Sequence, residues 1–411
     1  MALPRNRALT PAELQAFGDE LDALRTRTLA DLGARDARYI RRIVAAVRYT
    51  GVAGRALLFL GAFVHSVLVP AWIAGVLLLT LSKILENMEL GHNVMHGQYD
   101  WMGDAHLNGN TYEWDIVATG DNWRKTHNFK HHTYTNVRGL DDDIGYGLLR
   151  IFPEQRWRPF YLAQPFIAVV FALLFEWGVA IQDLRLGRWL AGKMKRGELK
   201  RSFLPVGRKM GRQIFKDYIL FPALAGPFFL PVLLGNLTAN VLRSIWTFVI
   251  IFCGHFTADA ETFPKDSIKN ESRGHWYLRQ LRGSSNLAGG KLLNVLSGNL
   301  SHQIEHHFFP DVPANRYAAL AGAGARDLRA LRPALQHRLA AQAVRPGGVA
   351  DPAPCLPEPA APGARAAGGD AAGRLSTARR NSQRRGRPRL FRWLGVGAIC
   401  TPRSREAVDH P

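Results

Sequence analysis

Long apolar runs alternate with polar, charged stretches along this chain of 411 residues, and that segregation limits its fold more than any other feature. Residues 52–69, 71–90, 160–182, 214–234 and 236–255 are apolar. A helix needs about 20 such residues to cross the hydrocarbon of a bilayer. Lipid offers no partner for backbone N–H and C=O groups, so a crossing segment must satisfy them internally. An all-α integral membrane protein is therefore expected. The mean hydropathy of −0.10 conceals this, because polar ends dilute the runs.

The formal charge of +20 first suggests nucleic acid. Its location says otherwise. Residues 183–213 hold ten Lys/Arg against two acids, a net of +8, and residues 341–411 hold twelve against five, a net of +7. The first stretch sits between apolar runs, where a positive-inside cytoplasmic loop explains it. No zinc-finger or RNA-binding signature accompanies the charge, so no nucleic-acid partner is expected. Three cysteines are too few for a disulfide framework. No cleavable signal pattern opens the chain. Residues 1–50 read as a cytosolic lead-in, with Thr10, Pro11 and Glu13 forming a capping box for a helix that stops near Gly33.

Eight of the fourteen histidines fall in three clusters at the ends of the apolar runs: His92 and His96; His127, His131 and His132; His302, His306 and His307. Histidines four apart share one helix face. Neutral imidazole is a strong ligand for iron, copper, zinc or nickel. Eight ligands exceed the needs of one four- to six-coordinate ion, which favours two metals. No cysteine joins the clusters, which disfavours structural zinc or an iron–sulfur cluster. Glu89, Asp115 and Glu305 are placed to orient ligand rings from behind. Asp141 to Asp143 are placed to orient His132, though a solvated loop is the preferred reading, and Trp123 reads as a cover for the site, a wall of a substrate path or an interfacial indole.

The motifs HNVMH, HNFKHH and HQIEHHFFP resemble the three histidine boxes of the membrane fatty acid desaturases, in the family's order, with box two about 30 residues after box one. The resemblance covers roughly residues 50–320. It implies four transmembrane helices in two hairpins beneath a cytosolic, histidine-rich di-iron cap, within a domain of residues 51–325. It implies two iron ions, a fatty acyl lipid, acyl-CoA or acyl-carrier substrate, dioxygen, and an external electron donor such as ferredoxin with its reductase. A bacterial inner membrane is the expected location, with the boxes on the cytoplasmic side. The lead-in lacks the His-Pro-Gly-Gly sequence of a fused cytochrome. Box three is ambiguous. Either His302 or Gln303 can fill its first position, and QIEHH resembles the glutamine variant of front-end desaturases. Amide oxygen is a poor ligand beside imidazole, so His255, at the end of an apolar run, is expected to add a ninth histidine.

Shared metals require the boxes on one side, so an even number of crossings must separate boxes two and three. Three apolar runs lie between them. A cytoplasmic 183–213 loop makes 160–182 the one that dips without crossing, and Glu176 within it would cost about 2.5–3.5 kcal/mol at the bilayer centre. Residues 214–234 and 236–255 then form the second hairpin, turning at Gly235-Asn236, as 52–69 and 71–90 form the first at Pro70. Pro222, Pro227 and Pro231 are expected to kink the third crossing.

Residues 326–411 turn into Ala/Pro/Gly/Arg-rich sequence with little apolar periodicity. Back-translated with suitable codons, Arg326–Arg338 shifted by one nucleotide reads Glu-Ile-Cys-Ala-Arg-Tyr-Gly-Leu-Pro-Tyr-Asn-Thr-Gly, which resembles the family's usual continuation. A frameshift near residues 320–326, leaving a disordered tail, is the reading drawn; a native GC-rich tail is its alternative. The expected activity is dioxygen-dependent desaturation of an acyl chain. The alternatives are a histidine-box hydroxylase of alkyl or carotenoid substrates and, in another class, a histidine-rich membrane metal transporter.

Overall fold

The computed structural model describes residues 9–64, 68–184, 194–257 and 260–327, together with residues 189, 192, 343 and 344. Helix α1, Pro11–Ala30, opens on the expected capping box. Thr10 Oγ1 accepts from Glu13 N at 3.3 Å, and Thr10 N donates to Glu13 Oε2 at 2.8 Å. Gly33 caps the start of α2, Ala34–Phe63, which runs for 30 residues through position 50. The expected lead-in and the first membrane arm are thus one rod.

Helix α3, Leu68–Ile84, packs back along α2. The reversal lies just after Phe63, not at Pro70. Pro70 sits in the first turn of α3, where a missing N–H leaves no bond unmade. The two backbones touch at glycine: a Cβ on Gly54 would lie 2.7 Å from Leu79 N, and one on Gly75 would lie 2.9 Å from Gly54 O. α3 continues as a π-helix, Leu85–Gly91, and a last turn, His92–Met95, which carry box one out of the bundle.

The segment expected to dip is broken. Pro159–Leu173 and Phe175–Gln182 meet at 99°. We label the two arms α4, Gln164–Leu173, and α5, Phe175–Asp183. The second hairpin differs from expectation. α6, Arg196–Ile214, continues through a π-helix, Phe215–Leu220, into Phe221–Leu224. The chain reverses at Ala225–Phe228, where Gly226 takes a φ of +55°. α7, Phe229–His255, then runs unbroken through Gly235-Asn236. Pro227 and Pro231 fall at the turn and in the first turn of α7, where proline is tolerated, while Pro222 lies in the last turn of the rod, just after its π-helix.

Ala34–Phe63, Val69–Met95 and Gly226–His255 are long and apolar enough to cross a membrane, and the bent pair raises the number to four if it counts as one span. Outward residues such as Val52, Val69, Leu77 and Phe166 are 59–71% exposed, as lipid-facing side chains would be. Asp217 braces the bundle from within: it meets Lys83 Nζ at 2.7 Å and Arg55 at 3.3 Å, and its backbone carbonyl accepts from Asn236 at 2.7 Å.

The cap adds α8, Arg273–Gly283, α9, Gln303–Phe308, and α10, Tyr317–Asp327. Phe17, Tyr277, Leu281, Ile304, Phe308 and Tyr317 form its main core with α1. Of the tail, residues 328–342 and 345–411 lie outside the described residues, so its expected disorder is not addressed. Ala343–Val344 pairs in parallel with Asn286–Leu287.

Candidate metal centre

Box one follows a π-helical segment, Leu85–Gly91, and box two lies largely within another, Arg124–His131. Such widened turns are frequent at functional sites. Here they bring His92 and His96 against His127, with ring centroids 5.5 Å apart in each pair. α9 delivers His306 and His307 from the cap, and α7 ends in His255. Two groups of converging nitrogens result. His92, His96, His127 and His306 form one, and His131, His255 and His307 the other, with ligand atoms within 4.8 Å of one another in each. His132 lies between the groups. Its ring centroid is 4.7 Å from that of His96 and 4.5 Å from that of His307.

The far side of most of these rings is fixed. Nδ1 of His92 faces Asn93 Oδ1 at 3.0 Å, His131 faces Asp141 Oδ2 at 3.0 Å, and His307 faces Gln280 Oε1 at 3.0 Å. His127 faces Asp143 Oδ2 at 3.4 Å. His306 faces the Tyr317 hydroxyl at 3.3 Å, and that hydroxyl donates to Phe309 O and so accepts here. An anchored Nδ1–H leaves the Nε2 lone pair for the centre. Nε2 of His92, His96, His127, His131, His132 and His306 is buried without a hydrogen-bond partner among the described residues. Buried polar atoms left unpaired cost about 1–3 kcal/mol each. Four of them, on His92, His96, His127 and His306, belong to one group of ligand atoms within 4.8 Å of one another, an arrangement that a shared cation would satisfy. In the second group, Nε2 of His255 and His307 are 3.3 Å apart, which suits two ligands of one ion at about 2.1 Å each.

Burial and the neighbouring rings hold His96, His127, His132, His306 and His307 well below the usual imidazole value. They are neutral at physiological pH, which is the ligand form. Burial also pushes His131 down, but the Asp141 and Asp143 carboxylates together outweigh it and raise the net value. The donor set is nitrogen with flanking carboxylates and no thiolate. It fits two divalent transition metals.

Box three resolves its ambiguity in space. Gln303 turns inward, 2% exposed, with its carboxamide nitrogen 2.9 Å from His255 Nε2. Gly254 makes the room, since a Cβ there would meet Gln303 at 3.1 Å. His302 belongs to neither group; its Nδ1 lies 4.0 Å from the Glu305 carboxylate. The structure therefore gathers eight of the nine expected ligands.

The expected supporting acids do other work. Glu89 accepts from Tyr39 at 2.7 Å and Asn299 at 2.9 Å, Asp115 pairs with Lys216, and Glu305 accepts from Asn286 at 2.9 Å. The loop read as solvated supplies two ring anchors instead, Asp141 and Asp143. Gln280 and Tyr317 escaped the sequence reading, because nothing in one sequence places them beside residues far along the chain. Trp123 stacks on His127 with centroids 4.6 Å apart. It also lines a narrow cavity of about 70 Å³ that reaches His92, His127, His131 and His255 and continues down the inner face of α7.

Comparison with known proteins adds to this geometry. The family described as fatty acid desaturase matches residues 68–339. A Mycobacterium tuberculosis protein named NADPH-dependent stearoyl-CoA 9-desaturase is 47% identical over 312 residues, covering 75% of this chain and 72% of its own. A Synechocystis sn-1 linoleoyl-lipid 6-desaturase is 27% identical over 264 residues, 62% of this chain and 72% of that one. An acyl-lipid (7-3)-desaturase of Rebecca salina is 28% identical over 255 residues, covering 58% and 54%.

Proposed function

The chain belongs to the fatty acid desaturase family, and from that premise we propose that it desaturates a long-chain acyl-CoA at two irons held by eight histidines. His92, His96, His127 and His306 would hold one ion, and His131, His255 and His307 the other, with His132 between them. The single observation that carries the ligand set is the gathering of imidazole nitrogens into two groups, four and three histidines with ligand atoms within 4.8 Å of one another in each. An unactivated methylene resists any side-chain base. Two irons held by these histidines would supply the oxygen-activating redox chemistry that is missing; the net reaction consumes dioxygen, two electrons and two protons, takes two hydrogens from adjacent carbons and yields two waters.

The chain's own residues do the rest. Asn93, Asp141, Asp143, Gln280 and Tyr317 orient the rings. Trp114 and Trp123 keep water from one wall, while Ile251, Phe175 and Val179 offer an apolar path to the site. Cavities with apolar walls and few polar groups suit an acyl chain. The mycobacterial relative's name supports a CoA-linked substrate and NADPH as the electron source. This sequence carries no Gly-rich dinucleotide fingerprint. A separate reductase that oxidises NADPH, acting directly or through a ferredoxin, meets both facts. Hydroxylation uses the same boxes, but the relatives named here are desaturases.

Orientation follows from the same convergence. The rod from Arg196 to Leu224 and α7 pass out and back, so both ends of this hairpin share the metal side, as do the basic residues of α6. That side is assigned to the cytoplasm of a bacterial inner membrane. In a chain with its three cysteines replaced by serine, cysteines at Asp142 and Lys200 should label from the cytoplasm; labelling from opposite sides contradicts the assignment. For activity, the gene is expressed in a host with simple lipids together with a compatible reductase, and fatty methyl esters are mapped by gas chromatography. A new monounsaturated species supports the reading, and a hydroxylated product or none refutes it.

A further inference from the structure

The cavity beside the histidines does not end on hydrocarbon. His255, Ile251, Thr247 and Arg243 recur at every fourth position of α7 and so line one face of it. At the far end Arg243 forms an ion pair with Glu176 of α5, with side chains only 2% and 6% exposed. Glu176 also accepts from Val117 N at 3.3 Å, and Arg243 Nη2 donates to Asn240 Oδ1 at 3.4 Å. The satisfaction is incomplete. Arg243 Nε and Thr247 Oγ1 are buried without partners among the described residues, and both residues line the cavity.

We propose that Glu176, Arg243 and Thr247 form a polar floor that sets the longest acyl chain this enzyme accepts. The inference rests on the acyl-chain reading of the cavity. Arg243 lies twelve residues before His255, about 18 Å along the helix axis. At roughly 1.25 Å per methylene, from a C–C bond near 1.52 Å and an angle near 111°, at most about 14 carbons fit between those levels. A chain that stops short of the floor leaves Arg243 Nε–H and Thr247 Oγ1 free to hold water. A longer chain must drive its methyl end against them, strip that water and leave buried polar atoms unpaired. The pair also ties α5 to α7, so the floor is braced from two elements and does not retreat.

The test compares acyl-CoA substrates of 14 to 26 carbons on the full-length, iron-loaded enzyme. Two double variants are used because breaking one partner alone would strand a buried charge. E176A/R243A deepens the cavity by the length of an arginine side chain. E176M/R243M keeps much of the bulk and removes the polarity. Turnover of each chain length is expressed relative to the 18-carbon substrate, and acyl-CoA binding to the metal-free protein is measured in parallel. Both variants should raise the relative use and binding of chains just above the wild-type limit by about tenfold, the scale of one buried polar group no longer stripped of its partner. The double bond, counted from the carboxyl end, should stay where it is. Wild-type length dependence of turnover and binding in both variants overturns the proposal. If one variant fails to fold the other decides. If the wild-type enzyme desaturates no acyl-CoA, the proposed function falls first and the floor with it.

Discussion

At the scale of single residues, the centre depends on what stands behind each imidazole. Asp141 is the clearest case. Its carboxylate reaches His131 Nδ1 at 3.0 Å and accepts from Asn136 N at 2.8 Å, so it fixes both the ring and the turn that follows. Asp141→Asn keeps the shape and removes the charge. Loss of such a partner should weaken metal retention roughly 10–100-fold, read by competition with a chelator, while helix content stays unchanged. Wild-type retention would show that His131 does not hold metal. The histidines themselves were legible in the sequence, because spacings of four on short helical stretches can converge on one point. Their partners were not. Gln280 and Tyr317 reach the site only through the packing of α8 and α10 against α9, and Glu89 looked suited to orient a ligand ring yet is occupied by Tyr39 and Asn299.

At the scale of elements, close contact between α2 and α3 aims box one. Gly54 lets α2 lie against the backbone of α3, and any side chain there meets Leu79 N. Gly54→Leu should cost about 1–3 kcal/mol by overpacking, seen as a lower melting temperature in detergent and a lower yield of metal-loaded protein. Val52→Leu, 70% exposed two residues away, should change neither. Equal effects of the two would mean that the glycine contact does not set the hairpin. The second hairpin shows why element boundaries are harder to read than element types. Gly235-Asn236 is a strong turn dipeptide, yet α7 runs through it. Asn236 spends its amide on the Asp217 carbonyl, and Gly235 makes room for Leu58. The real reversal uses Ala225-Gly226-Pro227, followed by proline positions that suit a helix start. Tertiary packing, not local turn preference, decided the place.

At the scale of the whole molecule, two layers divide the labour. A bundle of apolar helices lines the cavity, and a cap of short helices completes the histidine cluster at its rim. The interior charges, Asp217 with Lys83 and Glu176 with Arg243, cross-link helices where lipid offers no polar partner. The eight clustered histidines all lie before residue 310. Removing residues 345–411 should therefore leave membrane insertion and metal content unchanged, checked on the truncated chain by fractionation and metal analysis. Loss of either would show the tail to be a working part, and would count against the frameshift reading, which resequencing the gene tests independently.

The central claim is that eight histidines bind two irons, and elemental analysis of the purified, iron-reconstituted chain tests it most directly. Wild-type protein should carry two irons per chain. Changing His306 to alanine, in the first group, or His255 to alanine, in the second, should each lower that toward one. A wild-type value of one metal per chain, or reconstituted protein that holds zinc and no iron, would contradict the account.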